Sequence, residues 1–135
     1  RGDMLRAILE GITLEIAENL ALMRALIGEI NEVSVAGGMV KSDMFCDIQA
    51  SAYKARIIRF MNPEASSLGA CINASVALGF YPSVEEAFRA MVTESAEFNA
   101  DPGKHKIYQQ LRQRKNKLYQ ALAEGKVYQE FMEAI

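Results

Sequence analysis

The stretch from residue 32 to residue 42 combines a predicted strand, a pair of glycines and a predicted helix start within a few positions. The strand, residues 32–36, alternates apolar and polar positions and contains β-branched valines, as short strands do. It ends abruptly at Gly37 and Gly38, and Ser42 can cap the helix that follows. A strand that turns this sharply into a helix predicts a protein of the α/β class.

Helices dominate the remaining sequence. Apolar residues at helical spacing and capping signals predict five helices, and β-branched stretches predict two short strands. The helices are expected at residues 3 to about 28, from 42 onward, at 66–78, at 83–91 and at 101–125; the strands are expected at 32–36 and at 56–60, the second closed by Asn62 and Pro63. Two short strands make a poor sheet by themselves. We therefore expect them to belong to a larger sheet whose other strands precede this segment in a longer protein.

Composition narrows the classes of function. Half of the 135 residues are hydrophobic and the formal net charge is −2, which is typical of a globular protein and not of a polyanion-binding one. No apolar run is long enough for a membrane span, so we expect no membrane partner. The basic cluster Arg112, Arg114, Lys115 and Lys117 is interpreted as a solvated helix face, and no nucleic acid partner is expected.

The cysteines and the histidine predict neither a disulfide nor a metal centre. Cys46 and Cys71 stand far apart at apolar helical positions, where a free cysteine behaves as a small hydrophobic residue. Free thiols favour a reducing, cytoplasmic compartment. His105 is the single histidine in the sequence, and we expect it to face solvent or to make a local hydrogen bond.

The glycine pair is the most informative candidate for ligand binding. Glycines between a strand and a helix allow a positive φ and let a ligand approach the bare backbone. The amide groups at the start of the following helix suit a phosphate. From the residues alone, a tight turn without a ligand remains the other interpretation.

Four blocks of the sequence resemble the C-terminal segment of the FGGY carbohydrate kinases, a family that includes glycerol, xylulose and gluconate kinases. The blocks occur in the order seen in that family and cover nearly the whole chain. They are Leu5-Arg6-Ala7-Ile8-Leu9-Glu10-Gly11-Ile12, then Val35-Ala36-Gly37-Gly38 with Ser42, then Glu64-Ala65-Ser66-Ser67-Leu68-Gly69-Ala70, and finally Pro102 with Tyr108 and Tyr119.

The resemblance implies a fold and an activity. The fold is the helix-rich C-terminal part of an actin-like ATPase (ribonuclease H-like) domain, with about five helices and two or more short strands. Residues 1–135 would form the C-terminal part of the second domain of a larger two-domain enzyme. The intact enzyme would transfer the γ-phosphate of ATP, with Mg²⁺, to a small sugar or polyol. The closing helix resembles that of pentulose kinases, which favours a ketopentose such as xylulose.

Four residues take a nucleotide-binding role by this resemblance. Gly38 would lie with its backbone near the phosphates, Gly37 would shape the turn, and Ser42 would make a polar contact with the base. Met39 stands where the family usually has alanine or glycine beside the adenine, so the adenine contact would differ here. No catalytic residue and no metal ligand is expected in this chain, because the family's catalytic aspartate and phosphate loops come earlier.

Two further expectations follow for the isolated chain: it should be catalytically inactive, and it should form a homodimer through surface that the rest of the enzyme would cover. The competing class of function is a helical interaction or regulatory module without a nucleotide. That alternative explains the many helices but not the order of the four blocks. The encoding open reading frame would distinguish the two, since a kinase requires several hundred upstream residues with a phosphate loop.

Overall fold

A computed structural model describes residues 2–60 and 64–133 of the chain. Within these ranges the elements follow one another in the order α1 (Gly2–Ile27), β1 (Glu32–Val35), a 3₁₀ turn (Gly38–Lys41), α2 (Asp43–Tyr53), β2 (Arg56–Phe60), α3 (Ala65–Ala77), α4 (Val84–Met91), β3 (Glu94–Phe98), α5 (Pro102–Glu124) and α6 (Val127–Glu133). The predicted strand end at Asn62 and Pro63 lies outside the described residues. No helix in the described ranges has the length and apolar character needed to cross a membrane.

The three strands form one mixed sheet in the order β1-β2-β3. β1 runs parallel to β2, with Val33 opposite Ile57, and β3 runs antiparallel to β2, with Phe98 also opposite Ile57. β3 is not predicted by its own residues, because Glu94-Ser95-Ala96-Glu97-Phe98 has no β-branched run. Pairing with β2 makes this segment a strand, which is a tertiary effect.

Local capping signals place the starts of α4 and α5 where the sequence predicted them. The Ser83 hydroxyl accepts a hydrogen bond from the backbone N–H of Glu86 at 3.2 Å and caps α4. The carboxylate of Asp101 accepts from the backbone N–H groups of Gly103 and Lys104, at 2.7 and 3.0 Å, and caps α5. These predictions are confirmed because each cap depends only on residues within one helical turn.

The main hydrophobic core lies between α1, α2, α5 and one face of the sheet. α2 is its centre: residues from Phe45 to Tyr53 are buried with the single exception of Asp47. Ile57 of β2 joins this core and is fully buried. Ile58 is buried outside this core, as expected for a side chain that points to the opposite face of the sheet.

The buried face of α1 differs from the predicted one. Apolar residues at helical spacing predict that the stripe Leu5, Leu9, Ile12, Ile16, Leu20 and Met23 is covered, whereas the structure buries Leu9, Thr13, Leu14, Ala17 and Leu20. Leu5, Ile12, Ile16 and Met23 are exposed. α1 has apolar residues around much of its circumference, so packing against α2 selects the stripe. Thr13 can be buried because its hydroxyl donates to the Leu9 carbonyl at 2.8 Å.

The contacts of α5 correct two expectations about its polar residues. Half of the basic cluster pairs with α1: Arg112 lies 3.2 Å from Glu18, and Lys115 lies 2.9 Å from Glu15. These side chains therefore link two helices and do not only face solvent. His105 does not make a local hydrogen bond either; its Nδ1 lies 2.8 Å from the carbonyl oxygen of Ser51 on α2.

Both cysteines are free thiols in the structure, and only one of them is a core residue. Cys46 is fully buried, and its thiol donates to the Val40 carbonyl at 3.4 Å. Burial raises the pKa of the Cys46 thiol above its ordinary value, which keeps it protonated. Cys71 is on the helix α3, at a position that is exposed among the described residues.

Candidate functional site

The chain reverses at Gly37 and Gly38, at the end of β1. Gly37 has φ 104° and ψ 173°, a conformation that is essentially restricted to glycine. Gly38 opens the 3₁₀ turn and does not have a positive φ. The glycine at position 37 is therefore required by the backbone, whereas the one at position 38 is not.

The space beside the two glycines is open. A Cβ atom added to either residue would meet no heavy atom within 4 Å, apart from its chain neighbours. Both glycines line a cleft of about 500 Å³. Its other walls come from β1, from Ile12 and Ile16 of α1, and from Phe45, Gln49 and Tyr53 of α2. Part of the exposed stripe of α1 therefore lies at this cleft, since Ile12 and Ile16 line it together with the two glycines.

Met39 and Ser42, the other two predicted site residues, occupy different surroundings. Met39 lines the cleft with the glycines and is 47% exposed. Ser42 does not contribute to the cleft wall; its hydroxyl accepts a hydrogen bond from the Phe45 N–H at 3.4 Å and caps α2. The structure thus brings Gly37, Gly38 and Met39 together on one wall and gives Ser42 a capping role beside it.

The rest of the 3₁₀ turn, from Met39 to Lys41, and Ser42 separate the glycine pair from the first residue of α2. The amide groups at the start of α2 are therefore not directly behind Gly38. The first turn of α2 also carries the carboxylate of Asp43, which makes an ion pair with Arg59 at 2.7 Å. A negative side chain already occupies this helix start, so a phosphate is better matched to the backbone of the glycine pair.

Two polar side chains stand in the cleft wall on α2. Gln49 is only 5% exposed, and its Nε2 donates to the Tyr53 hydroxyl at 3.4 Å. Its Oε1 is buried without a hydrogen-bond partner among the described residues. Burial raises the pKa of Tyr53 to about 12, so its hydroxyl stays neutral. These two side chains therefore contribute no charge to the wall.

The lining suits the uncharged part of a nucleotide better than its phosphates. No side chain in the cleft wall is charged, and most are apolar. Such a surface, with a few polar groups, is typical of sites for small molecules and cofactors. Among the described residues, no group of three or more His, Cys, Asp and Glu side chains could hold a metal ion. The bare backbone of Gly38 is the one feature of the wall that fits a phosphate.

A second cavity, of about 290 Å³, lies between β1, the end of β2, and helices α3 and α4. It is lined mainly by apolar residues, including Leu68, Ile72 and Phe88. Glycine inside a helix costs stability relative to alanine, so Gly69 on α3 is expected where another backbone or a ligand comes close. A Cβ atom there would meet nothing within 4 Å, so the described residues make no such approach.

Sequence reasoning missed several residues of the site. Ile12 and Ile16 were assigned to the core, and Gln49 and Tyr53 were not singled out. A signal for the α2 pair does exist, because Gln49 and Tyr53 stand four positions apart and so share one face of the helix. Arg59 also had a signal, as a charged residue inside the otherwise apolar stretch Ile57-Ile58-Arg59-Phe60.

Comparison with known proteins identifies the family. The model of the "FGGY family of carbohydrate kinases, C-terminal domain" matches residues 1–78. The xylulose kinase of Staphylococcus epidermidis is 30% identical over 110 residues, which cover 82% of this chain and 22% of that protein. The xylulose kinase of Bacillus subtilis is 33% identical over 98 residues, covering 73% of this chain and 20% of that protein. The chain thus spans about a fifth of the length of these curated relatives.

Solved structures establish the fold. The crystal structure of xylulose kinase from Rhodospirillum rubrum superimposes with a TM-score of 0.77 at 23% identity, over 92% of this chain and 25% of that one. The fold is therefore that of a segment of the sugar kinases that have the actin-like ATPase fold. Together with the family match, this means that the chain belongs to the FGGY family of carbohydrate kinases.

Proposed function

We propose that the chain is part of an ATP-dependent kinase that phosphorylates a small sugar or polyol. Residues 1–135 would be the C-terminal part of the second of its two domains. Family membership is the observation on which the activity depends, and relatives that are xylulose and glycerol kinases support it. A ketopentose such as xylulose is the proposed substrate, since the two relatives described above are xylulose kinases.

Within this enzyme, the cleft beside the glycine turn is proposed to hold the adenosine part of ATP. The open backbone at Gly37 and Gly38 supports this role, since any side chain at position 38 would extend into the free space. Met39 would pack its thioether on the ring, as methionine does against aromatic systems. Ser42 lies beside the cleft and not in its wall, so it would contact a base that extends past Met39; its hydroxyl oxygen accepts from Phe45 and still has its own proton to donate.

The chemical step is proposed to take place on other parts of the enzyme. The uncharged cleft wall agrees with a segment that holds the adenosine end, so Mg²⁺ and the γ-phosphate would be held outside this chain. Mg²⁺ supplies charge neutralisation at the transferring phosphoryl group. The isolated chain is then inactive, and sugar-dependent ATP consumption by the purified 135 residues would contradict this assignment.

The substitution Gly38→Val in the intact kinase tests the nucleotide role. Gly38 has ordinary backbone geometry and open surroundings, so a larger side chain should not unfold the protein but should occupy the cleft. We expect the KM for ATP to rise by about tenfold or more, the effect of losing roughly 1.4 kcal/mol of binding. The KM for the sugar should change much less.

The control for this experiment is Ala123→Val, a bulk increase on the exposed surface of α5. It should leave both KM values unchanged. Equal increases in the KM for ATP and for the sugar in the Gly38 variant would contradict the proposal that the glycine pair is part of the nucleotide site. Activity of the intact protein against a panel of pentuloses, polyols and hexonic acids identifies the acceptor.

The remaining partners and the compartment are also proposals. Many large apolar side chains of α1 are exposed, among them Met4, Leu22, Leu26 and Ile27. In the intact enzyme the other parts of the kinase would cover them, and in isolation we propose that they mediate a homodimer. Sedimentation of the isolated chain distinguishes a monomer from a dimer.

A small-molecule kinase with free thiols fits the cytoplasm, which is the proposed compartment. The family match favours the kinase over a helical interaction module.

A further inference from the structure

The geometry points to Arg59 as a positioning residue for the glycine turn. We propose that this arginine on β2 holds the 3₁₀ turn and the first residue of α2 against the sheet. Nucleotide affinity would then depend on a side chain that does not line the cleft. This inference rests on the proposed nucleotide role of the turn, and the experiments below separate a failure of one from a failure of the other.

A single nitrogen of Arg59 connects two segments of the backbone. Its Nη1 donates to the Val40 carbonyl at 3.0 Å and to the Asp43 carboxylate at 2.7 Å. Val40 belongs to the 3₁₀ turn that begins at Gly38, and Asp43 is the first residue of α2. The two links therefore lie on either side of Ser42 and hold both the turn and the helix start.

The surroundings keep the guanidinium in one place. It lies 5.2 Å from the ring centroid of Phe98 on β3, close enough for a cation–π contact. The Arg59 side chain is 19% exposed, whereas the Asp43 side chain is 74% exposed. Arg59, which is part of β2, thus contacts both β3 and the segment that follows the glycine pair.

Val40 is the residue through which the hydrogen bond from Arg59 fixes the position of the 3₁₀ turn. Its side chain is 5% exposed, and its carbonyl oxygen accepts both from Arg59 and from the Cys46 thiol. The glycine pair precedes this anchored residue by two positions, with open space on its other side. Binding is stronger when the contacting groups are already held in place, because less ordering is required. Removing the arginine should therefore loosen the glycine turn without removing any group from the cleft.

Arg56→Met is a matched control for Arg59→Met. Both arginines are on β2, but Arg56 pairs with Glu32 and Glu97 along the sheet and is 43% exposed. Neither of these contacts involves the glycine turn. Arg59→Lys is the conservative variant, because its ammonium can still reach Asp43 or Val40. Asp43→Ala removes one of the two links at an exposed position and should not threaten folding.

Hydrogen exchange of the 135-residue chain measures the positioning itself, independent of any nucleotide. The backbone N–H groups of Ser42, Phe45 and Cys46 are hydrogen-bonded within this segment. In Arg59→Met we expect them to exchange about tenfold faster, relative to amides of α1 and α5. Arg56→Met should leave this ratio unchanged. Equal acceleration in both variants, or none in either, would overturn the proposal.

Kinetics of the intact kinase test the consequence for the nucleotide. We expect Arg59→Met to raise the KM for ATP by about tenfold, the loss of one hydrogen bond to a charged group. The KM for the sugar and kcat should stay within about twofold, whereas a general loss of structure would raise both KM values and lower kcat. Asp43→Ala should shift the KM for ATP in the same direction by a smaller factor, and Arg59→Lys should recover most of the loss.

The two hypotheses fail in different ways. If Gly38→Val leaves the KM for ATP unchanged, the nucleotide role of the turn is wrong. If Gly38→Val raises it while neither Arg59→Met nor Asp43→Ala does, the positioning role of Arg59 is wrong. Should Arg59→Met not accumulate as folded protein, Asp43→Ala decides the matter by the same comparison, because it removes one of the two links at an exposed position.

Discussion

Replacing Gly37 by alanine should destabilise the chain through the backbone alone. At φ 104° and ψ 173°, residue 37 occupies a region that is costly for any residue with a Cβ atom. A Cβ atom there would meet nothing within 4 Å, so no steric clash with neighbours adds to this cost. The expected loss in the free energy of unfolding is therefore the backbone strain alone, about 1–3 kcal/mol.

Gly38→Ala provides the matched comparison. Gly38 is adjacent, equally open, and free of a positive φ. An alanine there adds a methyl group without strain and restricts the unfolded chain, so stability should stay the same or rise by up to about 1 kcal/mol. The two variants have the same composition and differ only in which glycine is replaced. The difference between their free energies of unfolding therefore measures the cost of placing a residue with a Cβ atom in the backbone conformation of Gly37.

Urea unfolding of the 135-residue chain, followed by circular dichroism, measures both values. The transition midpoint of Gly37→Ala should fall while the slope with denaturant stays constant, because the same surface is exposed on unfolding. In a thermal scan, about 4 °C should be lost per kcal/mol for a domain of this size. The reasoning is refuted if Gly37→Ala and Gly38→Ala unfold at the same denaturant concentration.

Two further predictions concern α5. Tyr108→Phe removes the hydroxyl that donates to Glu10 at 3.0 Å across to α1, and it should cost about 1 kcal/mol in the same unfolding assay; a change within the error of the wild-type value would contradict this. Asp101 has its pKa held below the ordinary value by the backbone N–H groups of Lys104 and then Gly103. A lowered folded-state pKa stabilises the protein above the unfolded pKa, near 4, and this contribution is lost as the pH falls through the folded value. In Asp101→Asn the fall in stability between roughly pH 5 and pH 2 should therefore be shallower than in the wild type, and an unchanged pH profile would exclude this contribution.

Much of the candidate site could be anticipated from the sequence. The turn at Gly37 and Gly38 requires only neighbouring residues, and the same is true of the Ser42 cap on α2. The cleft itself could not be anticipated, since its opposite wall comes from Ile12 and Ile16, which periodicity alone assigns to the core. The link between Arg59 and Val40 spans nineteen positions and two elements. Whether these residues bind a nucleotide stays a prediction.

The sequence by itself determined the kinds and bounds of most elements, because capping, glycine turns and side-chain periodicity act within about one helical turn. Tertiary structure decided β3, which exists through its pairing with β2, and the stripe of α1 that is buried. It also decided the partners of the polar side chains: Tyr108 reaches Glu10 and Asn116 reaches Glu18, each 98 positions away along the chain. Such contacts depend on how the helices pack together, and packing selects among faces that a local pattern leaves equivalent.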